Sequence, residues 1–165
     1  MNSLYTWTSA CIYRETEDSV CIVFNTGATR FQYKAGQFIE LTLYCIMNKP
    51  VTRAYSLCST AGEDESPAIT VKRIEGGLMS NYILNHAEEI TEWKVSGPHG
   101  SFYVDALAGD KQWNVFIGAG SGITVLFSMI KYLLINHNTN ILLINANKSS
   151  HTMPVSYTHL RAHET

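Results

Sequence analysis

Arg53-Ala54-Tyr55-Ser56 sets a cation, an aromatic ring and a hydroxyl on one short extended stretch. On a strand, Arg53 and Tyr55 face one way and Ala54 and Ser56 the other. A guanidinium forks onto phosphate oxygens, and a Tyr ring stacks on a flat heterocycle such as an isoalloxazine. The plainer alternative is a barrel strand with a surface Arg. Gly76-Gly77-Leu78-Met79-Ser80 follows. Its glycines allow close backbone approach. Ser80 is the expected N-cap of a helix whose first amides suit a diphosphate; a capped glycine turn is the alternative. The third segment, Gly118-Ala119-Gly120-Ser121-Gly122-Ile123-Thr124, lies between an apolar strand and an apolar helix. Amides and helix dipole there attract a pyrophosphate. Its spacing is G-x-G-x-G, because Ile123 stands where the dinucleotide fingerprint has its last glycine. Tight strand-to-helix packing is the alternative. Val71-Lys72-Arg73 reads as a half-exposed strand or a ligand-facing strand edge.

The strand after the third motif runs into Asn145-Ala146-Asn147-Lys148-Ser149-Ser150. No carboxylate stands there to hold a ribose 2′-hydroxyl. Lys148 and the two serines suit a 2′-phosphate, which leans towards NADP over NAD.

These motifs need elements to hold them. Residues from Leu4 to about Ser101 are strand-like, with turn signals every ten or so residues. Val20, Ile22 and Phe24 alternate with Cys21, Val23 and Asn25; Phe38 to Tyr44, Arg53 to Ser59 and Ala68 to Ile74 are further strands. Lys34-Ala35-Gly36-Gln37 and Gly97-Pro98-His99-Gly100 are turns, the second closing a strand over Trp93 to Ser96. Short strands at this spacing predict a closed antiparallel barrel or sandwich, interrupted by one helix starting around Ser80. After a linker over 106–112 the pattern changes. Trp113 to Ile117 is a near-continuous apolar strand of the kind buried on both faces of a parallel sheet. Ile123 to about Asn136 is an apolar helix, and Asn140 to Asn145 a second strand. One β-α-β unit cannot cover both faces of its own sheet, so this second region reads as incomplete.

The 165 residues include 45% hydrophobic and 16% charged side chains, with a formal net charge of −2. A buried core is within reach, and the charge gives no reason to expect nucleic acid or an anionic membrane as a partner. Cys11, Cys21, Cys45 and Cys58 are scattered without a C-x-x-C pair. They read as buried thiols in a reducing compartment and give no metal site. His86, His99 and His137 have no partners at ligand spacing. The N-terminus shows no signal peptide and no apolar run spans a bilayer, so a cytoplasmic protein is expected. The last residues, Val155 to Thr165, resemble the conceptual translation of a sequencing-library adapter, which sets them outside fold reasoning and discounts His159 and His163 as ligands.

The ordered set Lys34 to Phe38, Arg53 to Ser56, Val71 to Arg73, Gly76 to Ser80, Gly97 to Phe102 and Gly118 to Thr124 resembles the ferredoxin–NADP reductase-like superfamily, over roughly Tyr5 to Ser150. Within it, the chain looks like the bacterial NAD(P)H oxidoreductases that pair an FAD barrel with an iron–sulfur protein or domain. The resemblance implies a six-stranded antiparallel Greek-key β-barrel that binds FAD over residues 1–105. A partial α/β Rossmann-like nicotinamide domain follows over 113–153, and a non-native tail over 154–165. It implies that Arg53 pairs with the FAD diphosphate, Tyr55 stacks on the flavin and Ser56 lies near its reactive N5, Tyr55 and Ser56 being the catalytic pair. Ala54 shares that strand. Thr70, Val71 and Lys72 line the flavin and ribityl chain. Gly77, Leu78, Met79 and Ser80 hold the diphosphate. Gly118, Gly120, Ser121, Gly122, Ile123 and Thr124 receive NADP or NAD. The implied reaction is hydride transfer from NAD(P)H to FAD, then single electrons to a ferredoxin-type [2Fe–2S] partner or an oxygenase. Ala35 and Val125 stand where the family usually has Pro. The later strands, a closing Cys-Gly segment and a four-Cys cluster pattern are missing, so full turnover by this chain is not expected. Two alternatives remain: an electron-transfer flavoprotein subunit of a multisubunit dehydrogenase, and a non-catalytic barrel that binds protein. Nothing in the sequence sets an oligomeric state.

Overall fold

The computed structural model describes residues 4–44, 49–104 and 113–146. The expected linker at 106–112, Cys45, the Lys148-Ser149-Ser150 segment and the 154–165 tail lie outside the described residues.

Six strands form the first sheet: β1 (Leu4–Thr16), β2 (Ser19–Asn25), β3 (Phe38–Leu43), β4 (Val51–Ser56), β5 (Ala68–Lys72) and β6 (Trp93–His99). Their order is β4-β3-β6-β1-β2-β5, and every pairing is antiparallel. The sheet curls until its edges meet. An antiparallel bridge joins Leu57 to Ile69, and the Cys58 amide donates to the Ala68 carbonyl at 2.9 Å. Closure removes most of the exposed edge.

Alternation along these strands fills the interior. Ile39, Leu41 and Leu43 of β3 meet Trp93 and Val95 of β6, with Trp7, Ile22, Phe24 and Val71 around them. Trp93 and Phe24 meet edge to face with ring centroids 5.8 Å apart. Helix α1 (Leu78–His86) closes one end of this core with Met79, Ile83 and Leu84. The expected alternation of β2 holds only partly, because Ser19, Val20, Cys21 and Ile22 are all buried. Its outer face is roofed by the loop after β4 and by the helix of the second region, so Cys21 does not meet bulk water.

The second region comprises β7 (Trp113–Ala119), α2 (Ile123–Asn136) and β8 (Asn140–Ala146). β7 and β8 pair in parallel, Val115 opposite Leu142. Phe116, Ile141 and Leu143 pack against Leu126, Met129 and Ile130 of α2. The opposite face is bare: Trp113 is 69%, Val115 55% and Ile117 71% exposed, and Leu142 and Ile144 are about half exposed. Burial of β7 on both faces is thus corrected to burial on one, since a single helix covers a single face.

Side-chain bonds and close packing fix α2 to the barrel. Ser128, fully buried, donates to the Ser59 carbonyl at 2.6 Å, and Thr60 Oγ1 donates to the Ser128 carbonyl at 3.1 Å. Lys131 pairs with Asp64. Gly36, at φ +107°, sits so close to Met129 and the Phe102 carbonyl that any Cβ would collide with both. Among the described residues, no helix is long and apolar enough to cross a membrane.

Candidate functional site

Register fixes where the Arg53 strand points. Leu41 lies opposite Arg53, Ile39 opposite Tyr55, Glu40 opposite Ala54 and Phe38 opposite Ser56. Ile39 and Leu41 are core residues with no exposed surface. Arg53 and Tyr55 therefore project on the core-facing side of β4, and Ala54 and Ser56 on the other. Arg53 is exposed at the rim, and its guanidinium donates to the Thr52 carbonyl at 2.7 Å. Tyr55 is half-buried against the core. Burial pushes its phenol up to about 12, against the opposing effect of the Arg53 charge. The ring is thus neutral at physiological pH and offers a flat face and an O–H donor. Tyr55 and Ser56 are neighbours in sequence but occupy opposite faces of the strand.

The turn into α1 departs from expectation in one respect. Ser80 is not the N-cap; Gly77 is, and no side chain caps the helix. Ser80 Oγ instead accepts from the Ile74 amide at 3.2 Å. That bond closes the 74–80 turn from inside, and Ser80 is buried. Gly76 adopts φ +69°, and a Cβ on Gly77 would lie 2.6 Å from Ser80 Oγ and 2.9 Å from the Ile74 Cβ. Asn81, which sequence reasoning missed, braces the same turn through its Nδ2, donating to the Ile74 and Gly77 carbonyls. Arg73 donates to Asn81 Oδ1 at 2.6 Å. Leu78, Met79 and Ser80 fill the first three helical positions, whose N–H groups have no intrahelical acceptor. With no side-chain cap and no acidic residue in that turn, this helix start has the polarity that suits an anion. Met79 points into the core, so it offers only its amide; Leu78 is partly exposed.

On β5, Val71 is wholly inside the barrel core. Thr70 and Lys72 face outwards: Thr70 Oγ1 donates to Glu15 Oε1 at 3.4 Å, and Lys72 Nζ lies 3.5 Å from Asp18. Any part Val71 plays in holding a ligand falls to its backbone.

At the third motif the strand-to-helix turn is a short 3₁₀ segment, Gly120–Gly122. A Cβ on Gly118 would lie 2.8 Å from Leu126 Cδ1, so this glycine serves strand–helix packing. Gly120, at φ +55°, and Gly122 have open space beside them. Ser121 is exposed, whereas Ile123 and Thr124 are buried. Thr124 Oγ1 donates to the Ser121 carbonyl at 2.8 Å. Like α1, α2 begins with no side-chain cap and no acidic residue in its first turn.

Beside these segments, a cavity of about 450 Å³ lies between the outer face of β1, β2 and β5, the loop after β4, and α2. Tyr13, Glu15, Cys21 and Cys58 line it. Burial, with Cys21 alongside, pushes the Glu15 carboxyl up to about 8. Hydrogen bonds from Cys58, Tyr13 and Thr70 outweigh burial at Cys21 and bring its thiol down to about 7. No sequence motif marked this cavity, because its walls come from strands far apart in the chain.

The sequence profile of the oxidoreductase FAD-binding domain family matches residues 13–103. The ferredoxin reductase component of 3-ketosteroid-9-alpha-monooxygenase from Rhodococcus rhodochrous is 33% identical over 144 residues, covering 86% of this chain and 40% of the relative. The glycine betaine monooxygenase reductase subunit of Pseudomonas aeruginosa (strain UCBPP-PA14) is 34% identical over 120 residues, covering 72% of this chain and 32% of that protein. The chain thus spans less than half the length of these curated relatives. The flavohem-like FAD/NAD binding domain of nitric oxide dioxygenase from Vibrio cholerae O1 biovar El Tor superposes with a TM-score of 0.80 at 21% identity, covering 91% of this chain and 65% of that one. At that identity the likeness speaks for the fold.

Proposed function

This chain belongs to the oxidoreductase FAD-binding domain family, and on that premise we propose that it is the flavin-binding part of an NAD(P)H-dependent reductase that feeds electrons to an iron–sulfur protein or an oxygenase. The observation that carries the reading is the pair of diphosphate-suited features at the barrel: the exposed Arg53 guanidinium and the uncapped start of α1. The residues fit FAD. The Leu78, Met79 and Ser80 amides would hold the diphosphate, with Arg53 as counter-charge. The neutral Tyr55 ring would stack on the isoalloxazine. Ser56, and the backbone of Thr70, Val71 and Lys72, would line the flavin. Ala54, the small residue between Arg53 and Tyr55, leaves the opposite face of that strand free of bulk. Gly77 keeps the backbone close enough to serve.

Bound FAD would accept a hydride from NAD(P)H and release its electrons singly. The chain's own residues bind, orient and neutralise charge. Gly118, Gly120, Ser121, Gly122, Ile123 and Thr124 would receive the nicotinamide nucleotide, through backbone amides at Ile123 and Thr124 because those side chains are buried. The preference for NADP over NAD rests on Lys148, Ser149 and Ser150. Domain limits at 1–105 and 113–153, with a non-native tail at 154–165, complete the reading. The names of the relatives, reductase components of monooxygenases, support a ferredoxin-type or oxygenase acceptor, with any [2Fe–2S] cluster in a partner or a further segment. Free thiols at Cys11, Cys21 and Cys58 suit a cytoplasmic location.

The test is titration of the folded chain with FAD, read by flavin fluorescence, alongside Arg53→Ala and Tyr55→Ala. The reading expects saturable binding, weakened by the first change and spectrally altered by the second. Unchanged affinity and spectrum in both variants would overturn the site.

A further inference from the structure

The start of α1 has no side-chain cap, yet the turn that leads into it is held from behind. The Ile74 carbonyl accepts from the Gly77 amide at 2.9 Å and from Asn81 Nδ2 at 2.9 Å. The Gly77 carbonyl accepts from the Asn81 amide at 3.3 Å and from Asn81 Nδ2. Asn81 therefore keeps two carbonyls of the turn on the helix side. The first N–H groups of a helix point the other way, out of its open end. A carbonyl that swung to that end would repel an anion and displace those amides.

Asn81 is itself held. Its Oδ1 accepts from Arg73 Nη1 at 2.6 Å, and Arg73 Nη2 donates to Asn85 Oδ1 at 3.3 Å. One end of the Asn81 amide faces two carbonyls and the other a cation, which settles its orientation. An ionised donor makes the stronger bond and polarises the amide it grips. Arg73 is anchored in turn, its backbone amide donating to the Asp18 carbonyl at 2.7 Å, in the hairpin between β1 and β2. The guanidinium bonds run along the flank of α1, from Asn81 to Asn85 one turn further on, so Arg73 lies beside the helix rather than over its open end.

We propose that Asn81 and Arg73 are positioning residues for the diphosphate of FAD. Asn81 fixes the turn so that the Leu78, Met79 and Ser80 amides converge, and Arg73 acts through Asn81 rather than on the phosphate. The inference rests on the flavin reading above and extends it to two residues outside the contacts assigned there. Arg53, on β4, supplies the direct counter-charge; Arg73 supplies rigidity.

The experiment is titration of the full chain with FAD and with riboflavin, which has the same ring and no phosphate, both read by flavin fluorescence. The variants are Asn81→Ala, Arg73→Met, Arg73→Lys and the double change Arg73→Met with Asn81→Ala, each checked for folding by circular dichroism. Asn81→Ala should weaken FAD by about tenfold or more and leave riboflavin within about twofold. Arg73→Met should weaken FAD by about threefold to tenfold. Arg73→Lys keeps the charge but cannot span both asparagines, so it should fall with Arg73→Met and not with the parent. The double variant should bind FAD like Asn81→Ala alone, because Arg73 then has nothing to act through.

Unchanged FAD affinity in Asn81→Ala overturns the proposal, and so do equal losses for FAD and riboflavin, which would mark a merely structural role. Additive losses in the double variant, or parent-like binding by Arg73→Lys, also overturn it, because Arg73 would then act as a direct charge. If riboflavin binds too weakly to titrate, ADP, which carries the diphosphate without the ring, replaces it as a competitor, and an ADP affinity unchanged by Asn81→Ala overturns the proposal. If Asn81→Ala does not fold, the comparison of Arg73→Met with Arg73→Lys decides. A folded parent that binds neither FAD nor ADP overturns the flavin reading and this inference together. A parent that binds FAD while the variants fail these expectations overturns this inference alone.

Discussion

Replacing Gly77 by Ala is the sharpest perturbation of the diphosphate end. Gly77 itself has an ordinary φ of −70°, so the substitution brings no backbone strain and its cost is steric. The new methyl would lie 2.6 Å from Ser80 Oγ, 2.9 Å from the Ile74 Cβ and 3.0 Å from the Ile74 carbonyl. The carbonyl is backbone and cannot step aside. Ser80 must retreat by roughly 0.8 Å to reach ordinary contact, which breaks its bond from the Ile74 amide and leaves a part-buried N–H without its protein partner. Overpacking and a lost internal hydrogen bond together cost about 2–3 kcal/mol. Displacing the first-turn amides should also cost about 1.5–3 kcal/mol of charge-assisted hydrogen bonding to FAD, or roughly tenfold to a hundredfold in Kd. Gly76→Ala is the matched control. Its φ of +69° brings strain but its Cβ meets open space, so it should cost only about 1 kcal/mol. Urea unfolding gives the stability term and FAD titration the binding term. If Gly77→Ala costs no more than Gly76→Ala, or binds FAD like the parent, the reasoning about this turn is wrong.

Other outcomes follow from the same geometry. Arg53→Ala should weaken FAD by about tenfold or more through loss of a charge-assisted contact, with little change in urea midpoint because the guanidinium is exposed. Ser128→Ala removes a buried donor to the Ser59 carbonyl and should destabilise by about 1–2 kcal/mol, seen as a lower melting temperature. Glu15 has a folded pKa above its unfolded value, so folding retains a proton and stability should fall as pH rises from the usual carboxylate range towards 8. Glu15→Gln should flatten that slope in a pH series of urea melts. Ile117→Glu, on the bare apolar face of β7, should reduce self-association in sedimentation experiments without lowering stability; unchanged association would mean that this face is not sticky.

Some of this architecture is legible in the chain. The apolar period of Ile123 to Asn136 gives α2 its observed bounds, and the run from Asn140 gives β8, because both lie in stretches where one pattern acts alone. The turns at Gly36 and Gly76 are also legible from residue type, and both glycines take a positive φ in the structure. What failed did so for tertiary reasons. Ser80 looks like a cap by type and position, but a closer acceptor need, the Ile74 amide, takes its hydroxyl. Cys21 sits at an outward position of β2, yet a loop and a helix from elsewhere cover it. The cavity around Glu15 is assembled from β1, β2, β5 and α2, and no local pattern brings those residues together. Asn81 reads as an ordinary helical polar residue until its amide is seen bracing the turn that precedes it.

The central claim is that this barrel binds FAD through Arg53 and the start of α1. The most direct measurement is an absorbance spectrum of the purified chain after mixing with FAD and desalting. The account predicts a retained flavin band near one equivalent, lost in Arg53→Ala and Gly77→Ala. A protein that is folded by circular dichroism and colourless would contradict it.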